Sequence, residues 1–329
     1  MEQYIQKTII SVLKGEDYRP YVLATINSRF LDNVRSLTSQ VFEFKLKGDD
    51  WINNLLNNMY KREGKRSQFE LLWFTGLNNK TVRNMAGSSS KEVILDLGKK
   101  NIATFRRLFN EADKLLGEYE ILITIKKDNE QVVLDPIESA IYLNMISTMK
   151  LTIQGGAWSE VGKQTEKGLL YTIFKILNID DNSYVIIYQK MKEKGLAGDR
   201  EIDGIVFGGE NKPLSIELKL LGIGNPEIGD EALARKVDLF LTDRLTDMMV
   251  KQASKIGVKV IQFRNDDPSH TLDEVFEFFK AAGVRCSAPP KLQWGEMEKK
   301  IVEVLNNFNV ESEQNKLLRK LKELTRREP

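Results

Sequence analysis

The chain of 329 residues contains one cysteine, Cys286, and one histidine, His270. A single thiol excludes an intrachain disulfide and a cysteine-based zinc cluster. A single imidazole leaves too little material for a histidine-ligated zinc site or a serine–histidine triad. His270 falls in Asp266-Asp267-Pro268-Ser269-His270-Thr271, which reads as a helix-entry loop. No apolar run approaches the roughly 18–20 residues that span a bilayer. Net charge is scarce as well: 49 Lys and Arg against 47 Asp and Glu leave +2, so the surface as a whole is not a polyanion binder. The glycine pairs at 155 and 208 lack the spacing of a nucleotide-binding loop. The opening residues carry acids and no small-residue cleavage site, so they do not read as a secretory signal, and the cytoplasm is the expected compartment.

With 41% hydrophobic and 29% charged residues, the chain has the composition of a globular protein of one large or two ordinary domains. The first half reads as mainly helical. Apolar residues recur at helical spacing over 2–14, 26–46, 51–62 and 101–116. A hairpin is expected over 119–134, and Asp135-Pro136 then opens another helix. Basic doublets at 61–62, 65–66, 99–100, 106–107 and 126–127 could contact phosphates, although most such doublets are solvated helix faces. The polar, basic stretch 78–90 interrupts two apolar runs. It reads as a recognition loop, a short helix–turn–helix leading into a helix near Lys91, or a plain connector.

The second half changes character. Gly155-Gly156 is expected to break the chain before a helix over 159–177. Strands follow at 184–189, 201–207, 214–220, 237–241 and 258–263, with helices near 230–235, 246–255 and 271–282 between and after them. The expectation is an α/β (α+β) protein whose mixed central sheet is flanked by helices, with a mainly helical N-terminal region. After Pro289-Pro290 the tail is helical and amphipathic, with Leu317, Leu318, Leu321 and Leu324 at its end.

The stretch 203–219 holds the chemistry. Residues 214–220 alternate apolar and charged, so Ile216, Leu218 and Leu220 point one way while Glu217 and Lys219 point the other. Gly208-Gly209-Glu210-Asn211-Lys212-Pro213 supplies the turn, and the preceding strand carries Asp203. An Asp facing a Glu and a Lys across a hairpin can bind a divalent metal and set an ammonium beside the attacking water, which is a phosphodiester-cleaving arrangement. Glu-x-Lys is also a common exposed strand pattern, stabilised by modest cross-strand pairs. Glu166 lies three and four residues before Leu169 and Leu170, on the buried side of its helix or at the edge of that stripe, where it could reach water.

Asp203…Glu217-Leu218-Lys219, preceded by a helix with Glu166 and followed by a β-α-β segment, resembles the PD-(D/E)xK nuclease superfamily, and more narrowly the type II restriction endonucleases. The supporting runs are 222–235, 238–247 and 257–261, so the resemblance covers about residues 155–265. Ile202 stands where a proline often precedes the Asp, and Asp199 is a rival for the metal-binding position. The resemblance implies Mg2+ held by Asp203 and Glu217, Glu166 binding a second ion or orienting water, and Lys219 acting on the attacking water. It also implies cleavage of double-stranded DNA at a short palindromic sequence by a homodimer, paired with a cognate DNA methyltransferase. On that reading residues 1–150 are the DNA-recognition clamp, 151–290 the catalytic core and 291–329 a tail suited to dimerisation. Candidate DNA contacts are Asn79, Lys80, Arg83 and Asn84, because Arg suits guanine edges and Asn suits adenine, together with Arg200 beside the Asp. A structure-selective repair or junction-resolving nuclease would share this core, as would a DNA-binding protein without chemistry. Cutting confined to branched substrates would mark the first, and binding without cleavage the second.

Overall fold

The alternation over 213–219 becomes the middle strand of a five-stranded sheet. The computed structural model describes residues 3–116, 120–187, 202–220, 237–264 and 268–313, together with 315, 316 and 319. The strands are β3 (Tyr184–Ile186), β4 (Gly204–Phe207), β5 (Pro213–Lys219), β6 (Leu239–Thr242) and β7 (Lys259–Gln262), and they lie in that order. β3, β4 and β5 run antiparallel, whereas β5, β6 and β7 are parallel. The antiparallel half follows from the tight turn at Gly209–Asn211, where Glu210 takes a positive φ of 56°. A Cβ on Gly208 would stand 2.3 Å from the Ala282 carbonyl oxygen, so only glycine lets that turn close against the chain behind it. The parallel half needs a helical crossover, and α8 (Asp247–Ile256) supplies the one between β6 and β7. Thr246 caps its N-terminus and Gly257, in the left-handed region, ends it. The expected helix at 230–235 lies outside the described residues, as do Leu317, Leu318, Leu321 and Leu324 of the tail.

The helix carrying Glu166 is longer than the glycines suggest. α7 runs from Pro136 to Ile176, straight through Gly155-Gly156. Each glycine costs about 1 kcal/mol relative to alanine in a helix interior. Ile153 on one side of the pair and Val161 on the other are both buried. Its start has two reciprocal hydrogen bonds: the Glu138 amide donates to Asp135 Oδ1 at 2.8 Å, and the Asp135 amide donates to Glu138 Oε2 at 2.9 Å. Near its end Leu169, Leu170, Ile173 and Phe174 are fully buried. Burying each such side chain stabilises the fold by about 1.5–3 kcal/mol, as an upper bound. Phe174 packs on Tyr184 of β3, ring centroids 4.7 Å apart, and on Phe279 of α9 (Pro268–Ala281), 6.3 Å away. This seam fixes how the turn with residues 166 and 167 meets the sheet.

The chain divides into two compact units, residues 1–25 with 159–329, and residues 26–158. The first holds the sheet together with α1 (Gln3–Leu13) and α10 (Trp294–Asn306), which pack on each other. The second is built from most of α2 (Arg19–Leu46), then α3 (Trp51–Lys61), α4 (Lys65–Phe74), α5 (Asn79–Ala86) and α6 (Lys91–Leu116). The hairpin of β1 (Ile123–Lys127) and β2 (Glu130–Leu134) and the N-terminal part of α7 complete it. α2 starts seven residues before the expected 26, since Arg19 opens it. The stretch 78–90 takes the helical alternative: Asn78 caps α5, Gly87 ends it in the left-handed region, and α6 follows. Among the described residues no helix is long and apolar enough to cross a membrane.

Candidate active site

Asp203 stands one residue ahead of β4 rather than in the middle of a strand. Its amide donates to the Ile216 carbonyl at 2.9 Å, although Ile216 is already the ladder partner of Gly204. Two residues of one strand thus meet one of the other, the mark of a bulge, and bulges re-aim side chains beside active sites. The Asp203 carboxylate consequently lies against β5 and α7. Its Oδ2 accepts from the Leu218 amide at 2.9 Å, and its Oδ1 accepts from Lys167 Nζ at 2.5 Å. Both side chains of this ion pair are 11% exposed. Lys167 is absent from the residues expected from the sequence, yet it follows Glu166 directly and lies three residues before the buried Leu170. The spacing that singled out Glu166 applies to it equally.

Glu217 is completely buried on β5, which overturns the reading of Glu-x-Lys as an exposed sheet face. By register Glu217 neighbours Phe240 of β6, which belongs to an apolar cluster with Val237, Met249, Ala253 and Val258. Lys219, two residues on, sets its Nζ 3.8 Å from Glu217 Oε1. Glu166 does not escape to water: it is 7% exposed, and its Oε1 accepts from the Leu220 amide at 3.3 Å. Burial pushes the Glu166 carboxyl up to about 7, and the charge on Asp203 adds to the rise. Lys219, the Leu220 amide and Lys167 oppose it. Asp203, Lys167 and Lys219 therefore each act on Glu166, Lys167 pairs with Asp203, and Glu217 joins them through Lys219.

A second ring of polar groups borders this centre. Burial pushes the Tyr18 hydroxyl up, and the Asp243 and Glu166 carboxylates add to that, so the α1–α2 connection reaches the site. Arg264 Nη2 lies 3.3 Å from Asp17 Oδ1, and Asp17 also takes two hydrogen bonds of 2.7 Å from the Arg19 guanidinium. That guanidinium holds the Asp17 carboxyl well below the usual carboxylate range. Tyr18, Asp243 and Arg264 carry no sequence signature, because they meet the site from three separate segments.

Among the described residues no three His, Cys, Asp or Glu side chains converge closely enough to hold a metal ion among them. The donor set is nonetheless of the oxygen type that Mg2+ takes, since Mg2+ keeps several waters and needs only one or two carboxylates. Three buried carboxylates, Asp203, Glu217 and Glu166, stand with two ammonium groups, Lys167 and Lys219, an excess of negative charge suited to a divalent cation.

The expected DNA contacts lie on α5. Lys80, Arg83 and Asn84 are exposed at helical spacing on one face, Asn79 is half-buried, and Val82 anchors the opposite side in the core. Arg83 Nε donates to Ser89 Oγ at 3.4 Å. Arg200, with Asp199, lies outside the described residues.

No curated protein sequence and no solved structure matches the chain. Residues 2–250 match the family described as CfrBI restriction endonuclease. The match takes in the whole helical first half, where no resemblance was legible, as well as Glu166, Lys167, Asp203, Glu217 and Lys219. Its extent, three quarters of the chain, decides the matter: the protein belongs to the CfrBI restriction endonuclease family and is a site-specific DNA endonuclease.

Proposed function

We propose that the enzyme is a type II restriction endonuclease that hydrolyses phosphodiester bonds of double-stranded DNA at a short palindromic sequence, with Mg2+ and as a homodimer. The observation that carries this reading is the burial of Asp203, just ahead of β4, and of Glu217 on the neighbouring β5, with Lys219 beside Glu217 and Glu166 bonded to the Leu220 amide. Asp203 and Glu217 would hold the ion, which when bound would draw negative charge from the scissile phosphate and acidify the water next to it. Glu166 accepts the proton of the attacking water. A carboxyl held near neutrality suits that task better than one at the ordinary value, because it releases and takes up protons in the working range. Lys219 places positive charge next to the phosphorane-like transition state as the P–O bond to water forms and the bond to the sugar oxygen breaks.

Residues 1–150 form the recognition clamp, with Asn79, Lys80, Arg83 and Asn84 of α5 aimed at DNA and Arg200 near the phosphate; residues 151–290 form the catalytic core. The segment 291–329 joins two copies, whose two-fold symmetry matches a palindrome. A cognate methyltransferase protects the host sequence, and the pair works in the cytoplasm. Digestion of plasmid DNA tests the reading. With Mg2+ the wild type yields discrete bands, EDTA abolishes them, and Asp203→Asn cleaves about a thousandfold more slowly or worse. A smear, or cutting of branched substrates alone, refutes type II cleavage.

A further inference from the structure

Lys167 presents its ammonium to the very carboxylate that the proposed function assigns to the metal. Its Nζ sits 2.5 Å from Asp203 Oδ1 and 3.4 Å from the Asp203 carbonyl oxygen, while the Leu218 amide occupies Oδ2. Both oxygens of Asp203 are therefore engaged by protein donors. The pair is largely dry, and a charge-assisted hydrogen bond at this depth is stronger than one on the surface. The stem of Lys167 issues from α7, which is locked by the buried Leu169, Leu170, Ile173 and Phe174, so the ammonium is delivered by a rigid element. Lys219, the other ammonium, lies beside Glu217. The two lysines thus divide the two proposed metal ligands between them, one each.

We infer that Lys167 is a built-in counter-ion that occupies Asp203 in the metal-free enzyme and must be displaced for a divalent cation to bind. This rests on the proposed assignment of Asp203 and Glu217 as metal ligands. The Asp203 charge opposes ionisation of Glu166, and a buried Asp203 carboxylate without an ammonium partner would be costly in a dry site. Lys167 removes that cost while the metal is absent and imposes it as competition when the metal comes. Free metal then binds weakly. DNA shifts the balance, because a phosphate oxygen offers the departing ammonium a new partner while it completes the ion's shell. Metal loading becomes coupled to substrate, a safeguard for an enzyme whose stray activity would cut its own genome.

The test uses Ca2+, which fills such oxygen sites without needing to support turnover, and the full-length protein without DNA. Calorimetric titration of Lys167→Met should give Ca2+ binding at least about tenfold tighter than wild type, equivalent to 1.4 kcal/mol. Lys167→Arg, which keeps the positive charge, should stay near the wild-type affinity. The metal-free melting temperature of Lys167→Met should drop, and Ca2+ should raise it by more than it raises the wild type's. Equal or weaker Ca2+ binding by Lys167→Met overturns the inference and leaves Lys167 as a support for Asp203. If Lys167→Met does not fold, amine labelling of the wild type read by mass spectrometry decides: Ca2+ should increase modification of Lys167, and unchanged labelling overturns the inference. Binding insensitive to Glu217→Ala would remove the metal assignment itself. Binding that depends on Glu217 but ignores Lys167→Met removes only the role of Lys167.

Discussion

The substitution Glu166→Gln should stabilise the metal-free fold, although it removes a group proposed to work in cleavage. The carboxyl titrates near 7 in the fold against an ordinary value of 4.5. That difference is worth about 3 kcal/mol of stability, which the wild type forgoes once both states are ionised. The glutamine side chain would keep an acceptor for the Leu220 N–H, now 3.3 Å from Glu166 Oε1, and it carries no charge to desolvate. The attraction of Lys219 and Lys167 for the carboxylate is already contained in that difference, so the gain expected at pH 8 is about 3 kcal/mol at most. The pH dependence has a definite sign. Below 4.5 the carboxyl is protonated in both states and the substitution is nearly neutral. Between 4.5 and 7 the folded protein keeps a proton the unfolded chain has released, so wild-type stability declines as pH rises while the variant's does not. Above 7 the gap is constant. Urea denaturation in EDTA at pH 5 and pH 8 reads it directly. A variant less stable than wild type at pH 8, or a gap that ignores pH, would refute the raised, buried carboxyl here.

Two further substitutions probe the scaffold and the DNA face. Gly283 has a φ of +74°, and a Cβ there would stand 2.8 Å from the Gly209 nitrogen, so Gly283→Ala should cost about 1–3 kcal/mol and lower the denaturation midpoint; a wild-type midpoint would show that the turn between β4 and β5 is not clamped from behind. Arg83→Ala leaves α5 folded, because Arg83 is exposed and alanine is a good helix former, and should weaken specific DNA binding by about 1–3 kcal/mol in a filter or mobility-shift assay. Equal affinity for cognate and scrambled duplexes in both proteins would take α5 out of recognition.

The hairpin and the mixed character of the sheet were legible because β5 alternates cleanly and the turn is spelled in glycines. The burial of Glu217 was not. Alternation says that Glu217 and Lys219 share a face, but whether water or protein covers that face depends on α8 and its cluster around Phe240, which only the folded chain brings together. Lys167 escaped for a different reason. A lysine next to a glutamate on a helix looks like a solvated pair, and only the bulge at Asp203 turns a carboxylate to meet it. The continuity of α7 across Gly155-Gly156 was hidden because local propensity points to a break there. Tyr18 and Arg264 come from the two separate segments of the first compact unit, and no local pattern could pair them.

The hairpin origin of the acidic pair also sets the order in which the centre is assembled during folding. Only 15 residues separate Asp203 from the Leu218 amide that fixes it, whereas Lys167 lies 36 residues from Asp203 and Glu166 lies 54 from Leu220. Short loops close first, because the entropy lost on closure grows with loop length, and hairpins form within about 1–10 μs. By loop length alone, the hairpin contact costs less closure entropy than either contact made by α7. The hairpin carries one ammonium of its own in Lys219, so α7 adds a carboxylate and an ammonium together, and its apolar stripe supplies the drive for docking.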